Sequence, residues 1–414
     1  MSRVRYQVTA MVVILGMLTY LDRACVGTLA PQITHAFGLS KVQMASVFSA
    51  FAFAYAIGGI PGGWLADRLG TRVVLTAVVV CWSLFTVGTG LAASFGVLIA
   101  VRVLFGAGEA AAWPCAARTF SRWVPRSERG IVQGSFFAGS HFTSGVTPSI
   151  VLALLPWLSW REIFVAFGAL GLLWAAVWAV WFRDDPAQHR GVSAGEREFI
   201  QAGTTAAPPG APDRRLFGRL ARSGSVWATC VMYLPNAVLF YFCITWLPTY
   251  LRERHHLGPH AVAVFSGLPL VLAAVADFTG GVATDWAVAR FGLRRGQRGL
   301  GAISYGVAAA ALVVTPWIQV PILAGCLIAL ATAASMFTLA AAWGTCIEIG
   351  GKQAAVVGAV MNTSGQVGSF FGPYLVAYTL KWSGSWSPSL WTMGLLFAIG
   401  AACWCAIDPE QVIG

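Results

Sequence analysis

The chain has 414 residues, of which 57% are hydrophobic and only 10% are charged, and its formal net charge is +11. This balance excludes an ordinary soluble domain, in which about a quarter of the residues are charged. Apolar runs of about 20 residues, long enough to cross the hydrocarbon layer of a bilayer, recur from end to end. The composition therefore predicts a protein that crosses the lipid bilayer many times.

The apolar runs predict an all-α membrane protein with twelve transmembrane helices. In chain order the predicted spans are 8–29, 44–66, 72–93, 95–117, 130–155, 159–182, 226–251, 259–284, 299–317, 321–346, 353–380 and 388–407. The first run is too long for the core of a signal peptide and is followed by further spans, so we expect it to be retained.

The basic residues are concentrated in alternate loops between the predicted spans. With the N-terminus inside, the outer loops hold only five of them: Lys41, Arg161, Arg252, Arg254 and Lys381. Because loops rich in Lys and Arg remain in the cytoplasm, we expect both termini there and a location in the cytoplasmic (inner) membrane. The same distribution accounts for the net charge without nucleic acid as a partner.

The sequence shows no pattern typical of a metal or cofactor site. The nine cysteines lie in or beside apolar spans without a CxxC pair, and are interpreted as small buried hydrophobic residues. His141 is the only histidine well inside a span, and no nucleotide-binding loop is present. We therefore expect no cofactor and no metal, and a membrane enzyme is disfavoured.

A polar segment divides the twelve spans into two sets of six. We predict a six-helix bundle at 1–182, a cytoplasmic linker at 183–225 with a short amphipathic helix near 196–201, and a second bundle at 226–414. The sequence GWLADRLGTR follows the second span, and a degenerate copy, GVATD and then arginines, follows the eighth. Paired, pseudo-symmetric bundles of this kind are a transporter architecture, whereas a membrane receptor would not require them.

The fourth span, VRVLFGAGEAAAWP, contains two charged residues, Arg102 and Glu109, two turns apart on one helix face. Charges at membrane depth are costly and normally face a cavity, pair with each other or serve transport. Gly106 and Gly108 between them would let another backbone approach closely. The alternative is a buried Arg–Glu pair that only fixes helix packing.

The first span presents a polar face of similar character. Gly16, Tyr20, Arg23 and Gly27 recur at helical spacing, and the planar fork of Arg23 can bind a carboxylate through two hydrogen bonds. Asp22 lies about 100° away around the helix and is expected to face a neighbouring helix or the edge of a cavity. Its two interpretations are a proton-binding acid and a structural partner for an arginine.

Further polar residues lie in later spans. In the eleventh span Asn362 and Gln366 share a face, where they would orient a substrate or cap unwound backbone. Asn236 in the seventh span is a candidate for the substrate pocket. The sequence leaves the roles of His141 and Asp277 open.

The loop after the second span contains candidate gating residues: Asp67, Arg68 and Arg72. An acid at the cytoplasmic mouth can meet a helix N-terminus or arginines of neighbouring loops and hold the cytoplasmic side shut. The two arginines alone are explained more simply as residues that keep this loop in the cytoplasm than as parts of a gate.

These motifs resemble the major facilitator superfamily, in GWLADRLGTR after span two and RVLFGAG in span four. More narrowly, the chain resembles the anion:cation symporter family, which includes bacterial sugar-acid transporters, sialin and vesicular glutamate transporters. The supporting stretches are YLDRACVGTLAP, VRVLFGAGEAAAWPCAARTFSRWVPRSERG and NTSGQVGSFFGP.

The resemblance implies a symporter that imports a small organic anion, of the carboxylate, sugar-acid or aromatic-acid type, with protons by alternating access. The proton-carrying acids of the family fall on Asp22 and Glu109. Its substrate-pocket residues fall on five positions: Arg23, Arg102, Tyr20, Tyr55 and Asn362. The chain departs from the sugar-acid carriers in span ten, where LAAAW replaces hydroxyl side chains, so we expect a less hydroxylated carboxylate, such as an aromatic acid.

Two other transport modes compete with this interpretation. In an electroneutral organic-anion exchanger or facilitator the two acids would be structural. A drug–proton antiporter would need an acid without an arginine beside it, and Arg23 and Arg102 argue against that. We expect a monomer whose partners are the organic anion, protons and the lipid bilayer.

Overall fold

The computed structural model describes residues 3–125, 128–202, 216–351 and 354–411. These residues form eighteen α-helices, joined by turns and two short 3-10 helices, and contain no β-strand. The all-α prediction is therefore confirmed.

The helices of the first half are α1 (Val4–Thr28), α2 (Ala30–Phe37), α3 (Lys41–Leu69), α4 (Thr71–Leu91), α5 (Phe95–Glu109), α6 (Ala112–Trp123), α7 (Arg129–Leu154), α8 (Trp160–Trp181) and α9 (Ala194–Ala202). Those of the second half are α10 (Leu216–Arg222), α11 (Gly224–Thr245), α12 (Leu247–His255), α13 (Pro259–Phe291), α14 (Leu293–Val314), α15 (Pro321–Phe337), α16 (Leu339–Gly350), α17 (Ala354–Ser383) and α18 (Ser387–Ala406).

Each predicted span coincides with one long helix or with two consecutive shorter ones. Among the described residues, ten segments are long and apolar enough to cross a membrane. The remaining predicted spans, the fifth and the eleventh, are α7 and α17, with 26 and 30 residues. Glycine, serine, threonine and amide residues make these two helices less apolar than the ten segments.

The chain divides into two compact units, Met1–Pro209 and Gly210–Gly414. In the first unit the most extensive helix pairs are α4 with α8, α1 with α7 and α3 with α5. In the second they are α14 with α18, α11 with α17 and α13 with α15. When the predicted spans are numbered from one to six within each half, both units show the same pairs. Span three packs on span six, span one on span five, and span two on span four. The repeat seen in the sequence therefore extends to helix packing within each unit.

The beginning of the predicted linker packs on the first unit. The carboxylate of Asp184 accepts hydrogen bonds from the backbone N–H of Thr71 at 2.6 Å, from its hydroxyl at 2.8 Å and from the N–H of Arg72 at 3.2 Å. An anion at a helix N-terminus satisfies free N–H donors and is favoured by the helix dipole. Asp184 therefore caps α4, which begins at Thr71.

Helix α9, the amphipathic helix expected near residues 196–201, caps another membrane helix. Glu196 is fully buried and accepts hydrogen bonds from the backbone N–H groups of Val4 and Arg5, at the start of α1. Arg5 also pairs with Glu196 and with Glu128. Two acids of the polar segment thus fix the ends of α1 and α4.

We expect Asp184→Ala to lower the free energy of unfolding by about 1–2 kcal/mol, because it leaves the first N–H groups of α4 without an acceptor. The matched control is Asp185→Ala, since the Asp185 carboxylate accepts from the N–H of Ala187 within a short 3-10 turn and caps no membrane helix of the described residues. Thermal unfolding in detergent would measure both variants. Equal midpoints for the two would contradict the capping role.

Candidate functional site

The fourth span is a broken helix, and its break immediately follows Glu109. Helix α5 ends at Glu109 and α6 begins at Ala112. Pro114 explains the position, because its nitrogen has no hydrogen to donate to the carbonyl four residues earlier, that of Ala110. Hydrogen bonding resumes when Cys115 donates to Ala111. The break places the Glu109 carboxyl at the C-terminal end of α5, inside the bundle.

Glu109 binds Arg23 of α1. Its Oε1 accepts hydrogen bonds from Nε of Arg23 at 2.8 Å and from Nη2 at 2.5 Å. The side chain of Glu109 is fully buried and that of Arg23 is 8% exposed. Within the described part of the chain, Oε2 of Glu109 has no hydrogen-bond partner. The seven-residue spacing suggested Arg102 as the partner of Glu109, but the ion pair instead joins α1 to α5.

Asp22 and Arg102 complete a buried group of four charged residues, which we call the charge quartet: Asp22, Arg23, Arg102 and Glu109. Asp22 accepts a hydrogen bond from the Thr86 hydroxyl of α4 at 3.2 Å and lies in the field of Arg102 and Glu109. All four residues are at most 9% exposed. With both acids ionised the quartet is neutral, and each proton bound leaves one positive charge uncompensated.

Aromatic rings surround Arg23. Its guanidinium carbon lies 5.0 Å from the ring centre of Tyr20, 4.7 Å from that of Tyr55 and 4.7 Å from that of Phe51. The structure therefore brings both predicted tyrosines to the predicted arginine. Sequence reasoning missed Phe51, although it precedes Tyr55 by one helical turn and so shares its face.

Arg102 has its own aromatic neighbours. Its guanidinium carbon lies 4.7 Å from the ring centre of Phe105 and 5.2 Å from that of Phe51. Contacts of this kind stabilise a cation without using its N–H donors. The donor edges of the two arginines can therefore serve carboxylates.

A second layer of rings lies behind Tyr20. The ring of His141 on α7 meets Tyr20 edge-on at 5.7 Å between centres, and Trp113 of α6 does so at 6.3 Å. Phe136 packs against Trp113 at 4.5 Å. His141, whose role the sequence left open, is thus a buried member of an aromatic wall beside the quartet.

The close approach of α3 and α5 positions these groups. A Cβ atom at Gly106 would collide with the carbonyl oxygen of Phe51, and one at Gly58 would lie 2.8 Å from the Cβ of Ala110. At Gly108 the nearest atom would be the Cys81 sulfur, at 3.3 Å. The prediction that small residues in span four admit another backbone is therefore confirmed at Gly106.

The predicted amide residues, Asn236, Asn362 and Gln366, lie in the second unit. The Asn236 side chain donates to the Ser335 hydroxyl at 2.9 Å, one turn before Thr338, where α15 gives way to α16. Asn362 on α17 is exposed. The Oε1 atom of Gln366 is buried without a hydrogen-bond partner among the described residues.

The predicted gating residues have different surroundings. The Arg72 guanidinium donates to the carbonyl of Ala179 near the end of α8, at 2.8 and 2.6 Å. Arg68 is exposed and lies over the ring of Trp64 at 4.1 Å. The side chain of Asp67 lies outside the described residues. The gating role of the three residues remains a prediction.

Comparison with known proteins agrees with the fold. The sequence model of the Major Facilitator Superfamily matches residues 12–373. The chain belongs to the major facilitator superfamily. It is therefore a multi-pass membrane transporter and not an enzyme.

Its similar relatives include transporters named for organic anions. The chain is 32% identical to the probable sulfoacetate transporter of Cupriavidus necator, over 98% of this chain and 94% of that protein. It is 27% identical to the probable L-galactonate transporter of Escherichia coli, over 99% of this chain and 90% of that protein. The resemblance to the sugar-acid and organic-anion branch of the superfamily is thereby confirmed.

Solved structures of low sequence identity share the fold. An inward-facing, unoccupied bacterial homolog of the human lysosomal transporter Spinster matches with a TM-score of 0.76 at 20% identity, covering 97% of this chain and 96% of that one. The proton:xylose symporter structure matches with a TM-score of 0.72 at 15% identity, covering 98% of this chain and 96% of that one.

We expect Gly106→Ala to destabilise the first unit by about 1–3 kcal/mol, because the new methyl group meets backbone that cannot rotate away. The matched control on the same helix is Gly96→Ala, where a Cβ atom would meet open space. Thermal unfolding of the purified variants would measure the difference. A Gly106→Ala variant as stable as the control would show that α3 and α5 can separate freely.

Proposed function

We propose that the protein is a proton-coupled symporter that imports a small organic anion by alternating access. The observation that carries this proposal is the buried ion pair between Arg23 and Glu109. When a proton neutralises Glu109, the Arg23 guanidinium can bind a substrate anion instead, so protonation would control anion binding.

The chemistry follows from competition for one cation. While Glu109 is ionised, its carboxylate occupies the donor edge of Arg23. A proton on Glu109 removes that negative charge, and the loss of a charge partner from the buried Arg23 is costly. A substrate carboxylate or sulfonate can then take the place of Glu109 through charge-assisted hydrogen bonds. Proton and anion therefore favour each other's binding.

The rest of the quartet extends this scheme to a second proton. Asp22 is hydrogen-bonded through one oxygen only, while its Oδ1 has no hydrogen-bond partner among the described residues. Its protonation would remove the second of the two negative charges that balance Arg23 and Arg102. We propose that Asp22 and Glu109 carry protons, that Arg23 and Arg102 bind the anion, and that Tyr20 and Tyr55 line the site.

We propose Asn362 and Asn236 of the second unit as substrate-binding residues, and Asp67, Arg68 and Arg72 as part of the cytoplasmic gate. Release inside would follow loss of the protons, because the ionised Glu109 again takes Arg23 from the anion. We also propose a location in the inner membrane with both termini in the cytoplasm, and a monomeric transporter.

The substrate is proposed to be a short acid with few hydroxyl groups. Span ten offers alanines at 340–342, where a polyol would need hydroxyl partners, and the rings around Arg23 suit an apolar body. A relative is named for sulfoacetate, which is small and lacks hydroxyl groups. We therefore place sulfoacetate beside aromatic carboxylates, dicarboxylates and sugar acids as test substrates.

We expect Glu109→Gln to abolish proton-driven accumulation of the anion while retaining counterflow exchange, because glutamine cannot bind or release the coupling proton. Uptake into proteoliposomes with and without a pH gradient would measure this. The matched control is Glu198→Gln, an exposed acid of α9. Gradient-driven accumulation by Glu109→Gln would refute the coupling role of this acid.

We expect Arg102→Ala to weaken anion binding about thirty-fold or more, because removing one partner of a buried charge pair typically costs about 2–5 kcal/mol. Currents on solid-supported membranes during jumps of each test acid would measure it. One acid class should give a positive current in the native protein that the variant lacks. Exchange without current would instead favour an electroneutral exchanger or facilitator.

A further inference from the structure

One aromatic ring contacts both arginines of the charge quartet. The guanidinium carbons of Arg23 and Arg102 lie 4.7 Å and 5.2 Å from the centre of the Phe51 ring. Phe51 is 2% exposed and packs against Tyr55 and Phe105, each at 5.5 Å between ring centres. The ring therefore links the cation of α1 to the cation of α5.

This arrangement addresses an electrostatic difficulty. Two cations close together in a medium of low dielectric repel strongly. Carboxylates can offset the repulsion only while they are ionised, whereas an aromatic ring attracts a cation at every pH. In the same structure the Nε and Nη2 groups of Arg23 donate to Glu109, so the ring contact leaves these donors available to a carboxylate.

The position of the ring is fixed by backbone packing. Gly106 faces the carbonyl oxygen of Phe51 so closely that no Cβ atom would fit between them. Arg102 lies one turn before Gly106 on α5, and Glu109 lies three residues after it. The same contact between α3 and α5 therefore positions Phe51, Arg102 and Glu109.

We propose that Phe51 is a positioning residue for anion binding. It holds Arg23 and Arg102 at a fixed spacing when Glu109 releases Arg23, so the entering anion meets two guanidinium groups already in place. Binding to a prearranged site avoids the free-energy cost of ordering the side chains. This inference rests on the proposed function, since it concerns the same anion site.

The direct test varies the charge distribution of the ring without changing its shape. Phenylalanine at position 51 would be replaced by mono-, di- and trifluorophenylalanine, which progressively weaken the attraction of the ring for cations. We expect the KM for the transported acid to rise stepwise, reaching about ten-fold, with kcat changed less than two-fold. A KM that is constant across the series would overturn the proposal, because the attraction of the ring for the two cations falls with each added fluorine.

A second measurement uses natural residues. Phe51→Leu should raise the KM at least as far as the trifluoro variant. The control is Phe164→Leu, a buried phenylalanine of α8 over which no arginine of the described residues lies. Equal KM values for the two leucine variants would contradict the positioning role. A native protein that neither transports nor binds any test acid would refute the proposed function itself, and this inference with it.

Discussion

The ion pair between Arg23 and Glu109 is the interaction on which the first unit depends. Neither charge is tolerable alone at that depth, because a buried and unpaired charge costs several kcal/mol. The pair also joins α1 to α5, which are not otherwise a major helix contact of the unit. A protonation event at one carboxyl therefore changes what holds two membrane helices together. In the proposed mechanism, a proton on Glu109 would therefore control anion binding and the link between α1 and α5.

The groups around the Arg23–Glu109 pair are held in place by close backbone packing. Gly106 brings α5 against the backbone of Phe51, and Pro114 ends α5 at the level of Glu109. The aromatic rings enclose the arginines without using their donors. The side chains that would change partners are the charged ones, while their surroundings are held by backbone contacts and rings. Such rigidity is what a site needs if a small ligand is to compete with an internal carboxylate.

Much of this could be predicted from the sequence, because charge is rare in apolar spans. Asp22, Arg23, Arg102 and Glu109 were identifiable for that reason, and the structure brings all four together. Their pairing was not predictable, since helical spacing relates Arg102 to Glu109 but carries no information about the contact between α1 and α5. The caps by Asp184 and Glu196 were also missed, because an acid in a polar segment gives no local sign of a distant helix end. Phe51 was missed because one aromatic among 25 phenylalanines is not distinctive.

The two units share their helix pairing but not their chemistry. Span four of the first unit breaks beside an ionisable acid, whereas its counterpart in the second unit breaks at Thr338, beside Ser335 and Asn236. In the proposed function, the first unit handles the protons and the second supplies neutral hydrogen-bonding groups. The most direct test counts protons when the anion binds. Calorimetric titration of the purified protein, in buffers of different ionisation enthalpy, should show uptake of about one proton or more per anion, reduced by about one in Glu109→Gln. Binding with no buffer-dependent heat in the native protein would contradict the exchange of Glu109 for substrate on Arg23.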